Sequence, residues 1–137
     1  MKKNYINPKE LPDWSDFFSQ IIEIEKAGLR FIYISGQVGV DNNKKIVGNG
    51  SIKDQTEQAF KNLQIALKSV RATMNDIVKM NIYIVKYRYE NASVVGKILS
   101  EYYTKGKLPA LSLIGVQSLA LDDFLIEVDA EAVVEIE

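Results

Sequence analysis

The 137-residue chain contains neither cysteine nor histidine. Without cysteine, it can form no disulfide, no thiolate nucleophile and no thiolate metal site. Without histidine, it has no Ser-His-Asp or Cys-His catalytic pair and no histidine-ligated zinc, and it lacks the side chain that most often transfers protons near neutral pH. Any chemistry must therefore depend on carboxylates, hydroxyls, lysine, arginine or backbone groups, and we expect neither a metal ion nor an organic cofactor.

The chain also lacks a surplus of charge and any long apolar run. Its 17 basic and 18 acidic residues give a formal net charge of −1, with no basic block, so we expect no nucleic-acid partner. No apolar run approaches the roughly 18 residues of a membrane span, and no signal-peptide core follows Met1-Lys2-Lys3. These absences favour a cytoplasmic protein without a membrane partner, and the length favours one domain over residues 1–137.

The clearest pattern lies in the last third of the chain. From residue 124 to residue 134, apolar side chains alternate with Leu125, Glu127, Asp129, Glu131 and Val133. Side chains alternate between faces along a strand, so this segment predicts a strand with one apolar and one mostly acidic face. Another predicted strand, 111–116, follows Pro109 and precedes it. Glu127 therefore lies where two late strands meet, and it is a candidate site residue.

The preceding residues predict a hairpin, two helices and a further strand. β-Branched and aromatic residues favour hairpin strands at 19–25 and 29–36. Apolar spacings of three and four predict helices over 54–73, after an N-cap at Ser51, and over 90–104, with a strand at 78–85 between them. The residues through Trp14 are expected to be irregular. Two helices and about five strands indicate an α+β fold with both helices on one face of the sheet.

Such a sheet leaves its second face to be covered by something else. Tyr33, Tyr83 and the outer side of the last strand would place side chains there that are poorly suited to open water. The sequence therefore predicts a homo-oligomer that buries the second face.

Three segments carry a more specific signal. They are residues 18–38, with Phe18-Ser19-Gln20 and Ser35-Gly36-Gln37; residues 55–79; and residues 109–128, with Pro109-Ala110-Leu111-Ser112. In their order and spacing they resemble the RidA/YjgF family, the reactive-intermediate (enamine or imine) deaminases. The resemblance implies a chorismate-mutase-like, two-layer α+β subunit, with a mixed sheet and two helices packed on one face. It also implies a homotrimer with a small-molecule cleft at each subunit interface.

The resemblance also assigns site residues, and here the chain departs from the catalytic branch of the family. In that branch the last motif reads Pro-Ala-Arg-Ser and its arginine binds the carboxylate of a 2-imino acid, whereas this chain has Leu111 at that position. The family's Tyr-Ser-Gln begins with Phe18 here, and a position that often holds cysteine holds Leu113. Ser35 remains as a ligand-binding hydroxyl. Glu127 stands at the position of the glutamate that orients the hydrolytic water.

The missing arginine can be expressed as a free energy. A buried carboxylate that faces leucine instead of arginine is an uncompensated charge, which costs about 3–5 kcal/mol. At about 1.4 kcal/mol for each factor of ten, transition-state binding falls by roughly several hundredfold or more. We therefore expect activity on 2-iminobutyrate and 2-iminopropionate to be weak or absent.

Three functions stay open from the sequence. One is a hydrolytic deaminase that uses Glu127 on an enamine or imine other than a 2-imino acid. Another is a non-catalytic trimer that binds a small molecule or a protein partner. The third, the endoribonuclease activity attached to the family, has no support from the charge or from the histidine-free composition. The residues also have plainer interpretations, in which Glu127 is a solvated surface glutamate and Ser35 bonds only to backbone.

Overall fold

A six-stranded mixed sheet carries two α-helices on one of its faces, and the computed structural model describes residues 1–137. In chain order the elements are β1 (Lys2–Ile6), β2 (Ile21–Lys26), β3 (Leu29–Val38), α1 (Ile52–Ser69), β4 (Ile77–Val85), α2 (Tyr89–Ser100), β5 (Ala110–Val116) and β6 (Ile126–Glu135), with a short 3₁₀ turn at Met74–Asp76. The strand order is β1-β2-β3-β6-β4-β5, and only β4 and β5 pair in parallel. Neither α-helix is long and apolar enough to cross a membrane. The predicted α+β fold class is confirmed.

The N-terminal segment differs from the prediction. β1 pairs antiparallel with β2 along its five residues, so a segment expected to be irregular forms an edge strand and the sheet has six strands rather than about five. The Asn4 side-chain amide donates to the Glu23 carboxylate at 3.1 Å and helps to hold this edge. The strand reads Lys-Lys-Asn-Tyr-Ile, which is too short and too polar for its alternation to be recognised.

Helix α1 begins near the expected residue and ends earlier than predicted. The Ser51 side chain caps its first turn. The helix ends at Ser69 because Arg71 adopts a φ of +56° and the Ala72 N–H returns to the Leu67 carbonyl at 2.9 Å. Helices commonly end in this way, but glycine usually occupies the left-handed position. With arginine there, the sequence contains no recognisable stop signal, and the prediction continued to residue 73.

The helix face of β6 forms the centre of the core. Ile126, Val128, Ala130 and Ala132 are almost fully buried against α1, as the alternation predicted. The strand itself begins at Ile126, two residues later than expected, and Phe124 packs in a small separate cluster with Val38 and Val40. Burial of this face therefore fixes which residues of β6 point the other way.

The opposite face of the sheet is open. Glu127 and Asp129 of β6 lie there, between Tyr83 of β4 and the residues of β3. The Asp129 carboxylate accepts hydrogen bonds from the Asn81 amide at 2.8 Å and from the Tyr83 hydroxyl at 3.0 Å. Tyr33 on β3 is 42% exposed on the same face. No element of the chain covers this face. The predicted oligomer was inferred from such an uncovered face.

Candidate functional site

A cleft of about 300 Å³ opens beside the first residues of β6. The register between β3 and β6 shifts between Ile34 and Gln37, so that Ser35 and Gly36 together lie opposite Asp129. This is a β-bulge, a feature that interrupts regular pairing and redirects nearby side chains. The residues that line the cleft are mostly apolar and include one carboxylate: Trp14, Phe17, Phe18, Gly36, Val38, Ala120, Leu121, Phe124 and Glu127.

Glu127 projects into this cleft from the open face of β6. Its side chain lies against Gly36, where a Cβ atom would come within 2.5 Å of the Glu127 Cδ and Oε2 atoms. Only glycine at position 36 therefore leaves room for the carboxylate in this position. The half-buried carboxylate makes no hydrogen bond or ion pair within the chain. Burial, and to a lesser extent repulsion by Asp129, raises the pKa of Glu127 above its ordinary value.

Aromatic side chains form the outer wall of the cleft. Trp14 and Phe18 stack with their ring centroids 6.4 Å apart and an interplanar angle of 22°. Phe17 is 81% exposed beside them, an unusual position for so large an apolar side chain. The Lys44 ammonium lies 4.5 Å from the centroid of the Trp14 ring without lining the cleft, which places one cation–π contact at its outer edge.

Four buried amide side chains hold the backbone around the cleft. Gln37 donates to Gln20 at 2.8 Å, and Gln20 donates in turn to the Pro12 carbonyl at 3.1 Å, which ties the bulge to the aromatic segment. Asn62 donates to the carbonyls of residues 38 and 40 at 3.0 and 2.9 Å. Gln55 both donates to the Asp123 carbonyl at 3.0 Å and accepts from the residue 125 N–H at 2.9 Å. A buried amide without a partner lowers the stability of the fold, so these hydrogen bonds are retained. They connect several segments of the chain and hold the backbone around the cleft in place.

The predicted ligand-binding serine lies beside the cleft without lining it. The Ser35 hydroxyl donates to the Ser19 carbonyl at 2.6 Å, and the Ser35 N–H donates to the Gln20 carbonyl at 2.9 Å. In this arrangement its hydroxyl holds the bulge against the segment that carries Phe18. Phe18 itself lines the same cleft as Glu127.

The two predicted leucines lie elsewhere. β5 is an edge strand, with Leu111 beside Met80 and Leu113 beside Ile82 on β4. Met80 and Ile82 are buried on the helix side of the sheet, and paired residues on neighbouring strands point to the same face. Leu111 and Leu113, 38% and 39% exposed, therefore lie on the helix side, whereas Glu127 lies on the open side. A single chain does not bring them together with Glu127.

A larger depression, of about 660 Å³, lies on the other side of Phe124. It is lined mainly by loop residues and by the N-terminal ends of both helices, and it includes Lys86, Arg88 and Asp122. It contains none of the predicted site residues. Its mixture of charges contrasts with the smaller cleft, where Glu127 is the only ionisable side chain.

Several residues that shape the cleft were not singled out from the sequence. Trp14 ends the segment that was expected to be irregular, and Phe17 lies between that segment and β2. The role of Gly36 becomes clear only once Glu127 lies against it. The adjacent aromatic residues Phe17 and Phe18, close to the only tryptophan, were the one available signal. Such a cluster in an irregular segment indicates either core packing or a binding surface.

Comparisons with known proteins identify the fold and the family. A family model described as Endoribonuclease L-PSP matches residues 12–134. A RutC family protein of Pyrococcus abyssi is 30% identical over 132 residues, which cover 96% of this chain and 98% of that protein. The 2-iminobutanoate/2-iminopropanoate deaminase of Mus musculus is 31% identical over 116 residues, which cover 85% of this chain and 80% of that protein. The crystal structure of YyfA from Yersinia pestis, described as a protein of unknown function of the conserved Rid family, superimposes with a TM-score of 0.83 at 30% identity and covers 97% of this chain and 100% of that one.

Proposed function

The chain belongs to the Endoribonuclease L-PSP family, that of the RidA/YjgF proteins, and from this membership we propose that it is a cofactor-independent hydrolytic deaminase of enamines or imines. One observation carries the proposal: Glu127 is the only ionisable side chain in an aromatic cleft and has no partner within the chain. Because its pKa is raised, its carboxylate is a stronger base than an ordinary glutamate. The deaminase activity that names several relatives supports the same reaction class.

In the proposed reaction the substrate is a protonated imine, and an enamine enters after protonation at carbon. Water adds to the iminium carbon while the Glu127 carboxylate takes its proton, which gives a neutral carbinolamine. The carboxyl group then returns the proton to nitrogen, the carbon–nitrogen bond breaks, and the hydroxyl proton passes to Glu127 as the carbonyl forms. That proton leaves with the released ammonia. The sum is one iminium ion and one water converted to one carbonyl compound and one ammonium ion.

The composition of the cleft argues against the usual 2-imino acids. Their carboxylate would enter a cleft that already holds Glu127 and offers no lysine or arginine. Leu111, at the position of the family's arginine, cannot supply the missing charge. We therefore propose substrates other than 2-iminobutanoate and 2-iminopropanoate.

The complete site is proposed to lie between subunits of a homotrimer. Leu111 and Leu113 are on the opposite side of the sheet from Glu127, so all three can line one cleft only if two copies contribute. The exposed apolar side chains of β5 and of the cleft rim, including Leu121 at 53% exposure, offer complementary surfaces for this contact. The trimer itself is an inference from family membership.

The test is a coupled deaminase assay on imines generated in situ, with and without a carboxylate on the substrate. We expect wild-type activity on carboxylate-free imines, loss of this activity in Glu127→Gln, and little change in Asp122→Asn, a matched acid-to-amide control in the other depression. Leu111→Arg should shift activity towards 2-imino acids. Activity retained in Glu127→Gln would contradict the assignment of the base.

A non-catalytic, ligand-binding trimer is the second candidate. The observation that favours it is the replacement of the family's arginine by Leu111, together with an exposed apolar β5 edge that suits a partner surface. Absence of turnover for every imine, in the wild type and in Leu111→Arg, would favour this second function. We propose no RNA cleavage, because the cleft has a single carboxylate and no cation to bind a phosphate.

A further inference from the structure

The chemistry of the cleft wall points to a particular kind of ligand. Three aromatic residues of the segment before β2, Trp14, Phe17 and Phe18, line the cleft, and the buried Phe124 lines it as well. The faces of aromatic rings carry partial negative charge and attract cations as well as apolar groups. The Lys44 ammonium, 4.5 Å from the Trp14 centroid, is an example of such attraction at the edge of this wall.

The charge of the cleft points to the same ligand. Glu127 is half-buried, and no cation of β3, β4 or β6 faces it: its neighbours are Val38, Gly36, Tyr83 and Asp129. A partly buried carboxylate without a counter-charge is unfavourable, and a cationic ligand would remove this penalty. An anionic ligand would meet the Glu127 carboxylate and would find no cation among the residues that line the cleft.

From the aromatic wall and the unpaired Glu127 we infer that the cleft binds organic cations, namely iminium ions whose carbon carries an aromatic or branched apolar group and no carboxylate. The apolar group contacts the wall and the cationic nitrogen faces Glu127. A cleft of about 300 Å³ is at the lower end of the usual size range for ligand sites and suits one ring with a short chain. This inference names the substrate class of the proposed deaminase and therefore rests on that function.

The chain offers a direct binding measurement, because its only tryptophan, Trp14, lines the cleft. Its fluorescence can be followed during titration with 2-phenylethylammonium, a stable cation that resembles the iminium ion. 2-Phenylethanol is the matched neutral probe and phenylacetate the matched anionic one. The three probes share a phenyl ring and short chain and differ mainly in charge. The measurement needs no catalytic turnover.

We expect the ammonium ion to bind at least about tenfold more tightly than the alcohol, and phenylacetate to bind more weakly than either. Glu127→Gln should abolish the preference for the cation, whereas Asp122→Asn should keep it. Phe18→Ala should weaken the ammonium and the alcohol together, since it removes wall area and leaves the carboxylate. Equal binding of cation and anion, or a cation preference that persists in Glu127→Gln, would overturn the inference.

Binding and turnover separate this inference from the proposed function. Selective ammonium binding without hydrolysis of any imine would support the ligand class and contradict the deaminase. Hydrolysis of 2-imino acids without selective ammonium binding would support the deaminase and overturn the ligand class.

Discussion

The two faces of β6 are built from opposite kinds of residue. Ile126 and Val128 point towards the helices and are fully buried, whereas Glu127 and Asp129, their neighbours in sequence, point to the open face. The buried face is satisfied within the chain by α1. The open face has an unpaired carboxylate, exposed aromatic side chains and no covering element. One face therefore holds the strand in place, and the other is free for the ligand and the second copy that we propose.

The largest expected effect is on the buried face. Ile126→Ala should lower the free energy of unfolding by about 2–5 kcal/mol, because it removes packed atoms from a site that is 0% exposed. Urea denaturation at a fixed protein concentration measures the change. Glu131→Gln, at an exposed position on the other face of the same strand, is the matched variant and should change stability by less than about 1 kcal/mol. Similar losses in the two variants would contradict the view that only the buried face holds the strand in place.

The next effect is on activity rather than stability. Gly36→Ala places a Cβ atom against the Glu127 carboxylate and should move it, lowering kcat/KM about 100-fold or more. Gly96→Ala is the control: a Cβ there meets no atom within 4 Å, and the residue lies in α2. We expect that variant to gain up to about 1 kcal/mol in stability with unchanged activity. Full activity in Gly36→Ala would contradict the proposed placement of Glu127.

A smaller effect concerns the polar bonds of the open face. Tyr83→Phe removes the hydroxyl that donates to Asp129 at 3.0 Å and leaves the Asn81 bond in place. The free energy of unfolding should fall by about 1–2 kcal/mol, because the bond is to a charged group but the carboxylate is partly exposed and keeps its other bond. Thermal or urea unfolding measures it. A loss as large as that of Ile126→Ala would mean that the open face is packed like a core.

The smallest change is in the pH dependence of stability. Because burial and Asp129 raise the pKa of Glu127, the folded state holds this proton more tightly than the unfolded state does. Protonated Glu127 therefore contributes its full stability below its pKa in the unfolded chain, about 4.3. This contribution is lost as pH rises through the higher pKa of Glu127 in the folded state. Glu127→Gln should be more stable than the wild type at neutral pH, and the gain should fall towards zero below about pH 4. A gain that does not depend on pH would exclude titration of Glu127 as its cause.

Much of the fold could be predicted because burial leaves a periodic pattern. The alternation of β6 and the three-and-four spacing of α1 record which side of each element meets the core. β1 has no such pattern, since an edge strand of mostly polar residues buries little. Arg71 ends α1 through a left-handed backbone that the sequence usually marks with glycine, so the end of the helix was placed too late.

The candidate site could be predicted only in part. Glu127 was a candidate from the strand pattern as well as from the resemblance, whereas Phe18, Ser35, Leu111 and Leu113 came from the resemblance alone. Glu127 and Phe18 share a cleft in the structure. Whether these five residues act as assigned stays a prediction. That the leucines lie on the other side of the sheet depends on the pairing of β4 with β5, which no local pattern determines. The role of Gly36 depends on a bulge and on a contact with a strand about 90 residues away.

We propose that the open cleft of one protomer is completed by the β5 edge of another, and fluorescence quenching between copies tests this arrangement. The chain has no cysteine and one tryptophan, so Leu111→Cys can carry a nitroxide quencher at a single position. Wild-type chains, which supply Trp14, are mixed and refolded with labelled chains that also carry Trp14→Phe, so that any quenching is between copies. Lys61→Cys, on the exposed side of α1, carries the control label.

We predict that Trp14 emission falls in hybrids labelled at position 111 and stays unchanged in hybrids labelled at position 61. Native mass spectrometry establishes that mixed oligomers have formed. Unquenched Trp14 in mixed oligomers labelled at position 111 would contradict the shared site.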